Sequence, residues 1–253
     1  MRIPDLEALD NRMLDGLEFC AKAFAAFDRM RAAPAGSTAL RMRRSVQAKR
    51  LIEEVLPIAD YVLARYRLGR RLRVRWLSGN QPFDARLLSD ELRPGGTRVR
   101  KVQLLEVTRA VHSNEHLSRE HVTREGGSFG ARGTHRDPRT KRTVSRPTVY
   151  KNSERQLELA TLVCNIVDQK AIKAYPPRTT LIVDCVTEIP LDKHEWDELV
   201  ESVQQHVVQQ TFGEIVLQDP LRGRTATLVR RPKPNRRRSN PRLDLSAASG
   251  RPS

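Results

Sequence analysis

The stretch RVRKVQLLEVTRAV (98–111) constrains the fold most. Its centre carries apolar side chains on both parities (Val102 and Leu104, then Leu105 and Val107), and a strand of that kind lies inside a sheet covered on two sides. One carboxylate, Glu106, interrupts the run. Strand alternation puts it on the face of Val102, Leu104, Thr108 and Ala110. A carboxylate on such a face is costly unless the site is open or filled by a cation.

The elements around this strand follow from the hydrophobic period. Leu6, Leu9, Met13, Leu17, Cys20, Phe24, Phe27 and Met30 recur at three- and four-residue steps, which predicts one amphipathic helix over 5–31, closed by APAGS (33–37). A second helix is expected over 45–67, with Val46, Leu51, Val55, Ala59, Val62 and Tyr66 inward, Gly69 just past its end, and Pro57 kinking or splitting it. LRVRWLS (72–78) alternates apolar and basic residues, and a turn at GNQP (79–82) leads to a partner strand, FDARLLS (83–89). RPGGT (93–97) is the turn into the long strand. Residues 112–151 are rich in Arg, Gly and Ser, which predicts a polar helical turn or two and then a mobile basic loop, GGSFGARGTHRDPRTKRT. Asn152 or Ser153 caps a helix running to Tyr175, apolar around most of its girth. A strand (179–187), an amphipathic helix (194–210) and a last strand (213–219) complete the order.

This succession predicts an α/β fold with a mixed central sheet flanked by helices. The expected organisation is an N-terminal helical extension (1–36), an α/β domain (37–221) with the basic loop 112–151 inserted, and a disordered basic tail (222–253).

The formal net charge of +16 favours a polyanionic partner, nucleic acid before an anionic membrane surface. More than half of the surplus sits in the tail, where ten Lys and Arg residues face one acid, Asp244. Its clusters, Arg236, Arg237 and Arg238 among them, have no aromatic neighbours, so contacts there would be to phosphates rather than bases. A merely solubilising extension is the plainer account of it. Cys20, Cys164 and Cys185 are scattered and odd in number, which argues against a disulfide framework and suits a reducing compartment. No signal peptide or membrane span is read, and the expected location is cytoplasmic.

The order helix, three-strand meander, helix, strand resembles the core of the PD-(D/E)XK nuclease superfamily, the restriction-endonuclease-like fold, over roughly residues 45–187. The resemblance sets Asp84 (in FDAR) at the family's acidic position on the second strand, and Glu106 (in LLEVTR) at the acid of the (D/E)-x-K element on the third. It implies magnesium-dependent hydrolysis of a phosphodiester, with Asp84 and Glu106 as ligands of Mg2+, a hard cation that prefers oxygen. The chain departs from the motif where the lysine is due, because Thr108 stands there. Lys170, on the border of the apolar stripe of its helix, is the candidate replacement, with Lys173 beside it. Glu53, on one helix face with Lys49, is the candidate third ligand, since a first-helix Glu sometimes joins the metal in this family. Surface-directed side chains are the plain alternative for all four.

HSNEH (112–116) has the H-x-x-E-H order of inverted zincins, and a zinc hydrolase using His112 and His116 is a remote alternative. Zinc would need a third ligand, and the wet, basic flanks weigh against a buried metal helix. Arg119, Arg124, Arg132, Arg136, Arg139, Lys141 and Arg142 of the same segment are candidate phosphate contacts. No phosphate-binding glycine loop, zinc-finger spacing or nucleophile elbow is present.

The expectation is therefore a nuclease acting on nucleic acid, DNA ahead of RNA. A non-catalytic nucleic-acid-binding or complex-assembly protein on the same fold is its rival, and a homodimer is left open.

Overall fold

A computed structural model describes residues 4–149, 151–187, 190–207 and 211–228. The chain begins with helix α1 (Pro4–Leu9), the two-residue strand β1 (Leu14–Asp15), and helices α2 (Gly16–Ala32) and α3 (Gly36–Met42). The helix expected over 5–31 is thus two helices. Asn11 has φ 57°, and Asp15 caps α2 by accepting from the Leu17 backbone N–H. Of the expected stripe, Met13, Leu17 and Phe24 face solvent, while Phe19, Ala23 and Ala26 are buried.

Helix α4 (Val46–Arg50) passes through a π turn, Leu51–Val55, into α5 (Leu56–Arg65). The Leu56 N–H bonds the Leu51 carbonyl, five residues back, in the turn just ahead of Pro57. The wider turn lets the chain run on without the N–H that proline lacks, so α4 and α5 are joined through the π turn rather than split apart at Pro57. Gly69, at φ 78°, then reverses the chain.

Strands β2 (Arg70–Trp76), β3 (Ala85–Leu92) and β4 (Arg98–Ala110) form the antiparallel meander. Next, helix α6 (Glu115–Glu125) stands where a helical turn or two was expected, and the segment expected to be a mobile loop folds as the short α7 (Gly130–Gly133) and a hairpin of β5 (Thr134–Arg136) and β6 (Thr143–Ser145). Its order comes from small buried residues (Ala131, Gly133, Thr134, Thr143) and from Asp137, which accepts from the Arg139 and Thr140 backbone N–H groups at the tip.

Helix α8 (Asn152–Ala171) follows, capped by Lys151 without a side-chain bond rather than by Asn152 or Ser153. Its buried residues are Leu159, Ala160, Val163 and Val167, and Leu157 is exposed, so one face rather than most of its girth is covered. Strand β7 (Thr179–Cys185), helix α9 (Lys193–His206) and strand β8 (Glu214–Asp219) lead to β9 (Arg224–Leu228), which pairs with β8 within the stretch expected to be tail. Asp192 and Glu195 cap α9 reciprocally.

The result is a seven-stranded mixed sheet in the order β1-β2-β3-β4-β7-β8-β9, parallel only at β4-β7 and β7-β8. Alternation along the strands feeds two cores. Leu105, Val107, Ile182 and Val216 pack with α1, α2 and the α4–α5 helix, so residues 4–32 share their core with the sheet. Ala110, Leu181, Val183 and Leu217 pack with α8 and α9 on the other face. Among the described residues, no helix is long and apolar enough to cross a membrane.

Candidate functional site

The pairing of β3 with β4 ends at Ala85 and Leu105, and Asp84, one residue ahead of β3, lines the same cavity as Glu106. Here β3 begins, and Asp84 takes part in its ladder twice. Its N–H donates to the Leu105 carbonyl, and its side-chain Oδ2 accepts from the Val107 N–H at 2.7 Å. One oxygen is thereby fixed to the sheet.

Glu106 is buried, and its Oε1 accepts from Lys170 Nζ on α8 at 2.5 Å and from the Tyr175 hydroxyl at 3.1 Å. Lys170 comes from one turn beyond Val163 and Val167, which hold α8 on β4 and β7. Thr108 lies one same-face step further along β4.

Asp84, Glu106, Thr108 and Lys170 border a cavity of about 410 Å³ together with Arg43, Lys49, Glu53 and Glu54. Burial, and next the Glu106 carboxylate, push the Asp84 pKa up to about 7 against the opposing Val107 N–H. Glu54 is also raised, first by burial and despite the Trp76 indole N–H that donates to it at 3.1 Å. The Tyr175 hydroxyl is held above its usual value by burial and then by Glu106. Three carboxylates, Glu54, Asp84 and Glu106, thus line one cavity, with Lys170 directly paired to Glu106.

The expected residues separate as follows. Asp84, Glu106 and Lys170 come together. Glu53 borders the same cavity but is engaged by Arg43 at 2.9 Å and Lys49 at 3.9 Å, and the helix carboxylate coupled to the strand pair is Glu54. The π turn carries both glutamates, and its extra residue rotates the helix phase that an i, i+4 count assumes. Arg109, three residues beyond Glu106 and on the opposite face, pairs with Asp184 at 2.9 Å. Its Nη1 is buried without a partner among the described residues. Tyr175, Glu54 and Arg109 carry no motif that sequence reasoning could have used.

Among the described residues, no three His, Cys, Asp or Glu side chains are gathered closely enough to hold a metal ion by themselves. A two-carboxylate site completed by water is the arrangement that a magnesium-sized cation accepts, and the elevated Asp84 is the unrelieved charge such a cation would relieve. Asp84 and Glu106 therefore fit a hard cation.

HSNEH does not form a zinc helix. His112 precedes α6, where its Nδ1 accepts from the Asn114 N–H and its Nε2 lies 3.3 Å from Glu158, while His116 Nδ1 meets the Ser113 carbonyl oxygen. The two rings do not share a helical face, because only His116 is on the helix.

Of the expected phosphate contacts, Arg119 is occupied by Glu115 and the Arg41 carbonyl, and Arg124 by Glu125 and the Thr143 carbonyl. Arg132 lies 3.6 Å from Glu158 and Arg136 lies 3.7 Å from Glu120. Arg139, Lys141 and Arg142 are exposed at the hairpin tip. Arg236, Arg237 and Arg238 lie outside the described residues. Comparison with known protein families, curated proteins and solved structures finds no match to this chain.

Proposed function

We propose that this chain is a metal-dependent nuclease of the restriction-endonuclease-like class, acting on DNA, with Asp84 and Glu106 as ligands of Mg2+. The observation that carries this reading is the meeting of the two carboxylates at one cavity beside the start of β3, with Lys170 donating to Glu106. The order of α5, the β2-β3-β4 meander, α8 and the parallel β7 supports it.

A divalent cation at the pair would neutralise the scissile phosphate and activate a water. The chain's own groups have distinct tasks. Asp84, tied to the Val107 N–H, presents its second oxygen from a rigid strand end. Lys170 and Tyr175 orient Glu106, and the Lys170 ammonium stands where negative charge would develop, the place left without a lysine by Thr108.

The test is supercoiled plasmid incubated with Mg2+ or Mn2+. The expected result is nicking that disappears in Glu106→Gln, and cleavage that survives this substitution would remove the assignment. Thr108 at the motif position, with Lys170 already engaged, favours a second reading, a non-catalytic nucleic-acid-binding protein. Absence of cleavage with either metal, alongside salt-sensitive DNA binding, would select it.

A further inference from the structure

The face of the sheet that carries Glu106 is covered over only part of its width. Helix α8 packs on β4 and β7 and helix α9 on β9, whereas among the described residues the helix that packs on β2 is α2, on the opposite face. The outward positions of β2, β3 and the first half of β4 are half-buried or exposed: Arg71, Arg73 and Arg75, then Arg86, Leu88 and Asp90, then Arg98, Arg100 and Val102. Register confirms that they share one face. Arg75 stands across from Arg86, Arg73 from Leu88, Arg71 from Asp90, and on the next strand Leu88 from Val102 and Asp90 from Arg100.

Six guanidinium groups therefore line one open sheet face against two carboxylates. Asp90 pairs with Arg73 at 3.4 Å and Arg100 at 2.8 Å, and Asp15 lies 3.7 Å from Arg71. The remaining arginines are not neutralised. Arg75 donates to the neutral Asn11 amide oxygen, and neither Arg86 nor Arg98 makes an ion pair among the described residues. Arg75 and Arg86 are also directly opposite each other, and like charges at such a pair are unfavourable unless an anion lies between them. Across from Arg86 stands Leu104, one same-face step of about 7 Å from Glu106 on β4, and Asp84 lies two residues ahead of Arg86 at the same cavity as Glu106. A pair of cations is thus followed by the cavity that the two carboxylates line.

We infer that this open face of β2, β3 and β4 is the docking surface for the phosphate backbone of duplex DNA, leading the backbone across Arg98, Arg75 and Arg86 to the carboxylate pair. The inference rests on the nuclease reading for the direction of the track, but binding itself needs no metal. Side chains two apart on a strand, on strands about 5 Å apart, make a two-dimensional lattice of donors. It offers no base-reading element, so recognition there is of charge and shape, independent of sequence.

The test is fluorescence anisotropy of the full chain with a labelled random-sequence duplex, in EDTA, over a series of salt concentrations. The triple variant Arg75→Gln, Arg86→Gln, Arg98→Gln is expected to bind more weakly and to lose about 2–3 from the slope of log K against log salt, roughly 0.9 per phosphate contact. Lys22→Gln, on helix α2 against the opposite face, should keep the wild-type slope. Should the triple variant misfold by circular dichroism, Arg86→Glu, at an exposed position without a partner, replaces it and should lower the slope by about 1. An unchanged slope, no duplex binding by the wild type, or loss confined to phosphatidylserine vesicles would overturn the inference. A lowered slope in a protein that never cleaves plasmid would leave the docking surface standing and remove the catalytic reading. Cleavage with an unchanged slope would do the reverse.

Discussion

Two ion pairs on opposite faces of β4 invite comparison. Arg109 and Asp184 stand side by side in the parallel register of β4 and β7, with side chains 11% and 6% exposed. Each brings one charge, and the Arg109 guanidinium works against the burial that raises Asp184. Glu106 and Lys170 form the second pair, three residues away. There the cation is shared among carboxylates, because Asp84 and Glu54 are coupled to the same Glu106. The first pair sets one cation directly against one anion inside the sheet, with Asp219 adding to the raising of Asp184, and the second sets one lysine against three carboxylates at one cavity. An unbalanced buried cluster is what a binding site costs a fold; a balanced one belongs to the fold's interior.

The largest expected effect breaks the balanced pair. Arg109→Met leaves Asp184 buried and unpaired, which should lower unfolding free energy by about 3–5 kcal/mol at pH 8 in urea titrations. The loss should shrink in acid, where Asp184 can take up a proton. A loss below about 1 kcal/mol would mean that the two pairs do not differ in kind.

Glu106→Gln should leave stability nearly intact and reduce metal-dependent plasmid nicking by roughly a hundred- to a thousandfold, about 3–4 kcal/mol of barrier. Lys170→Met should reduce nicking by roughly ten- to a hundredfold while metal-free duplex binding keeps its salt slope. If it abolished folding instead, Lys170 would belong with Arg109 as a structural cation.

Asp84→Asn sharpens the comparison from the other direction. With its pKa raised from 3.8 to about 7, the folded chain holds this proton more tightly than the unfolded chain. Stability therefore falls as pH rises from about 4 to about 7, and the cost is complete above that range and absent below it. Asparagine can still accept from the Val107 N–H. The variant should be about 1–3 kcal/mol more stable than the wild type at pH 8 without metal, and equal to it at pH 4. Equal stability at both would mean that the carboxylate carries no strain.

The smallest effects belong to the histidines. His116→Ala, on the exposed turn of α6, should change stability by less than about 0.5 kcal/mol and leave nicking unaltered. A loss of activity there would move the chemistry away from the sheet.

How far the sequence reached differs between elements for physical reasons. The long strand was legible because Leu104, Leu105 and Val107 allow no other burial, whereas its register with β3 came only with the structure. Lys170 was legible because it borders a stripe that must face the sheet. Glu54 was not, since a π turn shifts the phase of the helix by one residue, and an i, i+4 count then selects Glu53. The hairpin of β5 and β6 was read as a loop because its order comes from buried threonines and an Asp-capped tip rather than from apolar periodicity. Strand β9 (RTATL) is short and polar, and it is recognisable only beside β8. Arginines spaced by two on β2 read as ordinary solvent-facing residues. Only the pairing of Arg75 with Arg86 turns them into a surface.

The most direct measurement is isothermal titration of Mn2+ into the metal-free protein at pH 8, where Asp84 has lost its proton. The account predicts a site occupied once per chain in the wild type and lost in the double variant Asp84→Asn, Glu106→Gln. Equal Mn2+ binding by the two proteins, or none by the wild type, would contradict it.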